Sequence, residues 1–154
     1  MSIFKESPEL CKQIDYQIVR NGFIRFYEKT GELGSDVMEL DKSGYTITEF
    51  NCHGISNLLE QFNEYFQFPA YFRNNLDAFN DCIADIDISG IGLVMVVRNL
   101  DNLKKEDVET LLEILVKQAQ MNFIVGKRLL ILAHSSGVAF RMELLKITSD
   151  RLIK

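Results

Sequence analysis

Between residues 46 and 90, seven carboxylates (Glu49, Glu60, Glu64, Asp77, Asp81, Asp85 and Asp87) stand against a single base, Arg73, a local balance of −6. Three of them, Asp77, Asp81 and Asp85, recur every four residues. On a helix each such step turns about 40° around the axis, so they form one stripe, opposite Phe79, Ile83 and Ile86. Like charges at this spacing destabilise an isolated helix by about 0.2–0.5 kcal/mol per pair, and only Arg73 lies near enough in sequence to compensate. Four chemistries suit such a stripe: a solvated face, a site for a hard divalent cation, an acid–base pair, or a docking surface for a basic partner. Acid–base work needs a carboxyl in an apolar pocket, and these three point away from the core. Metal sites gather ligands from several elements, and no others can be identified. Physics alone leaves the solvated face and the docking surface open.

Other catalytic patterns are absent from the sequence. Cys11, Cys52 and Cys82 include no close pair, and His53 and His134 are far apart, so neither a disulfide framework nor a Cys/His zinc site is expected. Cys82 falls on the apolar side of its helix and is expected in the core. His53 and His134 fall at strand ends and are expected to be ordinary polar residues there. Gly31-Glu-Leu-Gly34 and Ser89-Gly-Ile-Gly92 lack the spacing of phosphate-binding loops, and no cofactor is expected.

The whole chain carries −5 (−2 over 1–45, −6 over 46–90, +1 over 91–138, +2 over 139–154), which argues against a nucleic-acid binder. No apolar run approaches the ~20 residues of a membrane span. The first residues lack the basic-then-apolar order of a secretory signal, so a cytoplasmic protein with reduced thiols is expected. At 154 residues and 17.7 kDa, with 47% hydrophobic residues, one domain with a sizeable core is expected.

The elements that must position the stripe follow from periodicity. Ser7-Pro8-Glu9 suits the opening of a short helix through Leu10, Cys11 and Ile14. Gln17–Arg20 and Phe23–Tyr27 flank Asn21-Gly22, the dipeptide of a type I′ turn, and predict a β-hairpin. A polar, glycine-punctuated segment from Thr30 to Gly44 follows, with one apolar run at Val37–Leu40. From Tyr45 the pattern is β-α-α-β-α-β: a strand at 45–50, a helix capped by Ser56, and a second helix from Asn74 or Asn75 reaching Ile86. Then come a strand at 91–97, a helix at 104–121 and a strand at 128–133. The unbroken apolar run Ile91–Val97 suggests a strand buried on both faces of a parallel sheet. Residues 138–154 read as either an edge strand or a short helix.

The stretch Phe68-Pro-Ala-Tyr-Phe-Arg-Asn-Asn-Leu-Asp-Ala-Phe-Asn-Asp-Cys82 resembles the signature of the barstar family, small cytoplasmic inhibitors of secreted bacterial ribonucleases. Pro69, Tyr71, Asn75, Leu76, Asp77, Ala78, Asp81 and Cys82 stand at the family's spacing, and a looser likeness covers residues 45–135. The resemblance implies an α/β fold: a small parallel sheet with a three-stranded core packed against helices. Residues 1–44 would be an N-terminal extension with a short helix and β-hairpin, and residues 136–154 a short C-terminal extension, all in one compact domain.

Functionally, the resemblance implies a non-enzymatic immunity protein that blocks the active site of a toxic nuclease, with carboxylates in the place of RNA phosphates. Tyr71 would stack on the nuclease, Asp77 and Asp81 would meet its basic groups, and Asn75 would cap or orient the helix. Phe72, Arg73, Asn74, Asn80 and Asp85 complete the expected contact surface. Arg73 stands where the family usually has glycine, and Asn80 where it usually has tryptophan. A later acidic contact of the family has no clear counterpart, with Lys117 near its place. The expected partner is a basic ribonuclease toxin domain, as in toxin–antitoxin or contact-dependent inhibition systems, bound 1:1 by a monomer. The alternative is an immunity or adaptor protein of the same fold whose target is not a ribonuclease and which binds through another surface.

Overall fold

The computed structural model describes residues 13–136 apart from Asn74. The expected helix opening at Ser7 and the undecided segment 138–154 lie outside the described residues. Among the described residues, four strands form one parallel sheet: β1 (Ile24–Tyr27), β2 (Thr46–Asn51), β3 (Leu93–Arg98) and β4 (Leu129–His134), in the order β1-β4-β3-β2. The register places Thr46 beside Leu93, Leu93 beside Leu129, and Ile24 beside Ile131. Five helices cover the sheet: α1 (Ile14–Arg20), α2 (Thr30–Lys42), α3 (Ile55–Phe66), α4 (Leu76–Ala84) and α5 (Lys105–Ile124).

Alternation along the buried strands divides the core into two layers. Leu93, Met95, Val97, Leu129, Ile131 and Ala133 face α3, α4 and α5. Val94, Val96, Leu130 and Leu132 face the other way, onto Ile18 of α1 and Leu33 and Leu40 of α2. An apolar strand running without polar interruption is therefore explained by burial on both faces, as expected for parallel sheets. The order β-α-α-β-α-β from residue 45 onward is as the sequence predicts.

Three expectations need correction. There is no hairpin at Asn21-Gly22, because residues 14–20 are helical. Asn21 is instead the C-cap of α1 and Gly22 (φ 88) its left-handed terminator. The Phe23 N–H bonds to the Ile18 carbonyl at 2.9 Å and the Gly22 N–H to that of Val19 at 3.1 Å, a Schellman arrangement. A type I′ turn and a helix terminator both need positive φ, so one dipeptide signals either. Second, the segment 30–44 is largely the helix α2, burying Leu33 and Leu40 with Val37 packed beside them. It ends as α1 does, with the Tyr45 N–H on the Leu40 carbonyl and the Gly44 N–H on that of Asp41. Third, the sheet has four strands, because β1 adds to the three-stranded core alongside β4.

Smaller differences concern helix ends. Gly54, not Ser56, precedes α3, with no side-chain cap. α5 runs to Ile124, about a turn beyond the expected end. α4 stops at Ala84, before Ile86.

A polar cluster fastens α1 to the sheet. The Tyr45 hydroxyl donates to Asp15 at 2.9 Å and accepts from Arg128 at 3.0 Å, and Arg128 lies 3.5 Å from Asp15. Gly92 (φ 156) lies against this cluster, where a Cβ would come within 2.7 Å of both the Arg128 carbonyl and the Tyr45 ring.

Candidate functional site

The segment that leads into α4 is shaped by its aromatic residues. α3 ends at Phe66, with Gln67 left-handed (φ 54) at its C-cap. The Asn63 side chain accepts from the Phe68 N–H at 3.1 Å, which secures the exit. Pro69 then opens a 3-10 turn over Ala70–Phe72. Phe68 and Phe72 meet edge to face at 4.8 Å and both approach Phe79 of α4, so they fix the loop to the core. Below them Phe62 packs on Phe79 at 4.9 Å and stacks on Phe50 of β2 at 4.2 Å. Phe72 is only 1% exposed. Among the residues expected at the contact surface, Phe72 is therefore buried and holds the loop against the core. Tyr71, its neighbour, is turned outward at 54% exposure.

Asn75 caps α4: its side-chain oxygen accepts from the N–H groups of Asp77 at 2.7 Å and Ala78 at 3.3 Å. Asp77 sits in the first turn, where the helix dipole favours a carboxylate. Asp77 and Asp81 are both exposed, while Phe79, Cys82 and Ile83 on the opposite side are buried. Cys82 is thus in the core, as its spacing predicts. Asp85 is exposed but lies at the C-cap (φ −98, ψ 3), so the helical stripe has two members and the third carboxylate marks its end.

The structure gathers the ends of this surface. The Tyr71 hydroxyl is held above its ordinary pKa, first by its contact with the Cys82 thiol, then by desolvation and by the carboxylates of Asp81 and Asp85. Arg73 is exposed in left-handed backbone (φ 49, ψ 34) and makes no ion pair among the described residues. Asn80 is partly buried, and Asn74 lies outside the described residues.

Beyond Asp85 the surface continues into a groove of about 410 Å³ that no sequence motif marks. Tyr65 and Phe66 from the end of α3, Asp85–Ser89, Thr46 and Leu93 line it. Tyr65 follows Phe62 by three residues and Leu58 by seven, at the edge of α3's apolar face, so its spacing does not distinguish it from the core residues, yet it is left 47% exposed. Of the groove's lining, Asp85 and Asp87 are the residues that the acidic balance of the sequence already singles out.

Neither histidine is in the loop or in α4. His134 closes β4 at 4% exposure, accepting the Asn99 N–H on Nδ1 at 3.1 Å, and His53 is exposed after β2. Among the described residues, no cluster of three or more His, Cys, Asp or Glu is arranged for a metal ion. Nor is any helix among them long and apolar enough to cross a membrane.

Comparison with known proteins places the loop and α4 within a family signature. The family model described as "Barstar (barnase inhibitor)" matches residues 45–143. No curated protein matches the chain. Among solved structures, a chain in "Structure of Drosophila ORC bound to AT-rich DNA and Cdc6" is similar, with a TM-score of 0.55 at 18% identity. The likeness covers 87% of this chain and 47% of that one, so the present chain spans about half its length. At that identity the likeness concerns the fold alone.

Proposed function

The chain belongs to the barstar family, and from that premise we propose that it is an immunity protein that inhibits a ribonuclease toxin domain through the loop 71–75 and the outer face of α4. The family consists of inhibitors that bind a nuclease partner, so a protein partner is the general expectation. One observation carries the specific reading: Tyr71 is exposed in the turn that leads into the capped helix α4, whose outer face presents Asp77 and Asp81, with Asp85 exposed at its C-cap. These residues lie inside the matched segment.

Mechanistically, the local −6 charge steers a basic nuclease toward this surface. Tyr71 then covers apolar area, while Asp77 and Asp81 accept hydrogen bonds from the cationic groups that would otherwise hold RNA phosphates. Two features prepare the surface before contact. Asn75 fixes the first turn of α4, and the Phe68–Phe72–Phe79 cluster fixes the loop, so little ordering entropy is lost on binding. Inhibition on this reading is steric and electrostatic, with no bond made or broken.

The alternative, a non-ribonuclease target bound through another surface, cannot use a hairpin at Asn21-Gly22, because α1 ends there. α1 and α2 instead direct their apolar residues into the core. Co-expression with the nuclease domain encoded beside this chain tests the proposal. Protection that survives Asp77→Ala together with Asp81→Ala would overturn it.

A further inference from the structure

The groove at the shared end of α3 and α4 is both concave and electronegative. Its wall is aromatic, with Tyr65 and Phe66 in edge-to-face contact at 4.8 Å and Tyr65 47% exposed. Its rim carries Asp85 and Asp87, both exposed. Two helices end there, α3 at Phe66 and α4 at Ala84, and neither has a basic residue in its last turn. Helix C-termini carry partial negative charge and favour a cation. Asp87 is partly answered by Lys127 at 3.3 Å, but Asp85 makes no ion pair among the described residues. Asp85, at the C-cap of α4, follows exposed Asp81 by four residues, so the groove continues the proposed inhibitory surface.

We propose that this groove receives an arginine side chain of the protein partner, as a second anchor beside the one at Asp77 and Asp81. A planar guanidinium can lie on the Tyr65 ring while donating to Asp85, and its stem can pass along Phe66 and Ile86. A lysine ammonium fits less well, because it is a compact, strongly hydrated charge that cannot stack. The inference rests on the inhibitor reading for the source of the arginine, but the groove's preference for a guanidinium is a property of this chain alone.

That preference is measurable without a nuclease. Titration of the isotopically labelled chain with N-acetyl-arginine methylamide, followed by NMR, is expected to move Tyr65, Phe66 and residues 85–89. The lysine analogue should need severalfold more ligand for the same shifts. Asp85→Asn and Tyr65→Ala, both at exposed positions, should each weaken arginine binding at least threefold. Shifts spread evenly over exposed acids such as Glu32 and Glu39, or an unaltered titration in both variants, would overturn the proposal. A nuclease titration then separates the two readings. If Asp81→Ala impairs inhibition and Tyr65→Ala does not, the groove assignment fails and the inhibitor reading stands. If neither affects inhibition, the inhibitor surface itself is wrong, whatever the arginine titration shows.

Discussion

The two faces of the sheet are covered by layers built on different terms. α3, α4 and α5 bury a large aromatic and aliphatic core, and still leave Tyr65, Tyr71, Asp77, Asp81 and Asp85 outside it. α1 and α2 are shorter in total, direct Ile18, Leu33 and Leu40 against Val94, Val96, Leu130 and Leu132, and add the Asp15–Tyr45–Arg128 cluster. One layer has unpaired carboxylates beside exposed rings, whereas the charges of the other are partly spent internally, as in Arg25–Asp36 and Tyr27–Asp36. Residues 13–44 complete the core, and the proposed function assigns the binding to the loop and α4. The contrast also gives the N-terminal extension a reason to exist, because a parallel sheet exposed on one face leaves buried-type strands in water.

Removing residues 1–44 is the strongest way to break that division. It uncovers Val94, Val96, Leu130 and Leu132 together and takes β1 from the sheet, so the truncated chain should lose cooperative thermal unfolding and bind hydrophobic dyes. A folded truncate with a sharp transition would show that the far layer is dispensable. On the same face, Leu33→Ala should cost about 2–5 kcal/mol in chemical denaturation while leaving nuclease affinity unchanged.

Substitutions in the loop and α4 should reverse this pattern. Asn75→Ala removes the cap of α4, so stability should fall by about 1 kcal/mol and nuclease affinity should fall with it as the first turn frays. Arg73→Gly relieves left-handed backbone in an L-residue and should raise stability by about 1 kcal/mol. A lower melting temperature would indicate that Arg73 is held by contacts beyond its backbone. Gly34→Ala, in the interior of α2 with open space around its Cβ, should stabilise by about 0.5–1 kcal/mol without altering inhibition.

A further effect is confined to high pH. Burial, opposed in part by the Arg128 hydrogen bond and assisted by Asp15, pushes the Tyr45 hydroxyl up to about 12 from its ordinary value of 10.0. Since the folded state holds this proton more tightly, the associated stability is complete below pH 10 and is lost as pH rises toward 12. Melting temperatures across that window should fall more steeply for the wild-type chain than for Tyr45→Phe.

The same contrast explains what was legible in the sequence. Strands β3 and β4 announce themselves as unbroken apolar runs, and helices α3–α5 through helical spacing of their apolar residues, although the strands pair with partners 36 to 47 residues away. Helix α4 adds a side-chain cap, and its face could be drawn from spacing alone as far as Asp81. Asp85 was misplaced because the end of the helix depends on how Ile86 and Ile88 turn into the core, which is a tertiary effect. The burial of Phe72 is hidden from the sequence for a related reason: it depends on Phe68 and Phe79. In the N-terminal layer local signals conflict. Asn21-Gly22 serves a hairpin or a helix end equally, and Gly31 and Gly34 weaken a helix pattern that Leu33, Val37 and Leu40 carry. Only the sheet face waiting to be covered decides between them.

Because net charge alone alters encounter with a basic partner, the central claim needs a charge-matched comparison. Ribonuclease activity of the partner domain should be titrated with the wild-type chain, with Asp77→Ala/Asp81→Ala, and with Glu32→Ala/Glu39→Ala on the exposed side of α2. Each double variant removes two negative charges. The account predicts that the concentration for half-inhibition rises by about 100-fold or more for the α4 pair, a loss of about 2.7 kcal/mol, and by less than about threefold for the α2 pair. Equal losses in the two, or a larger loss for the α2 pair, would contradict it.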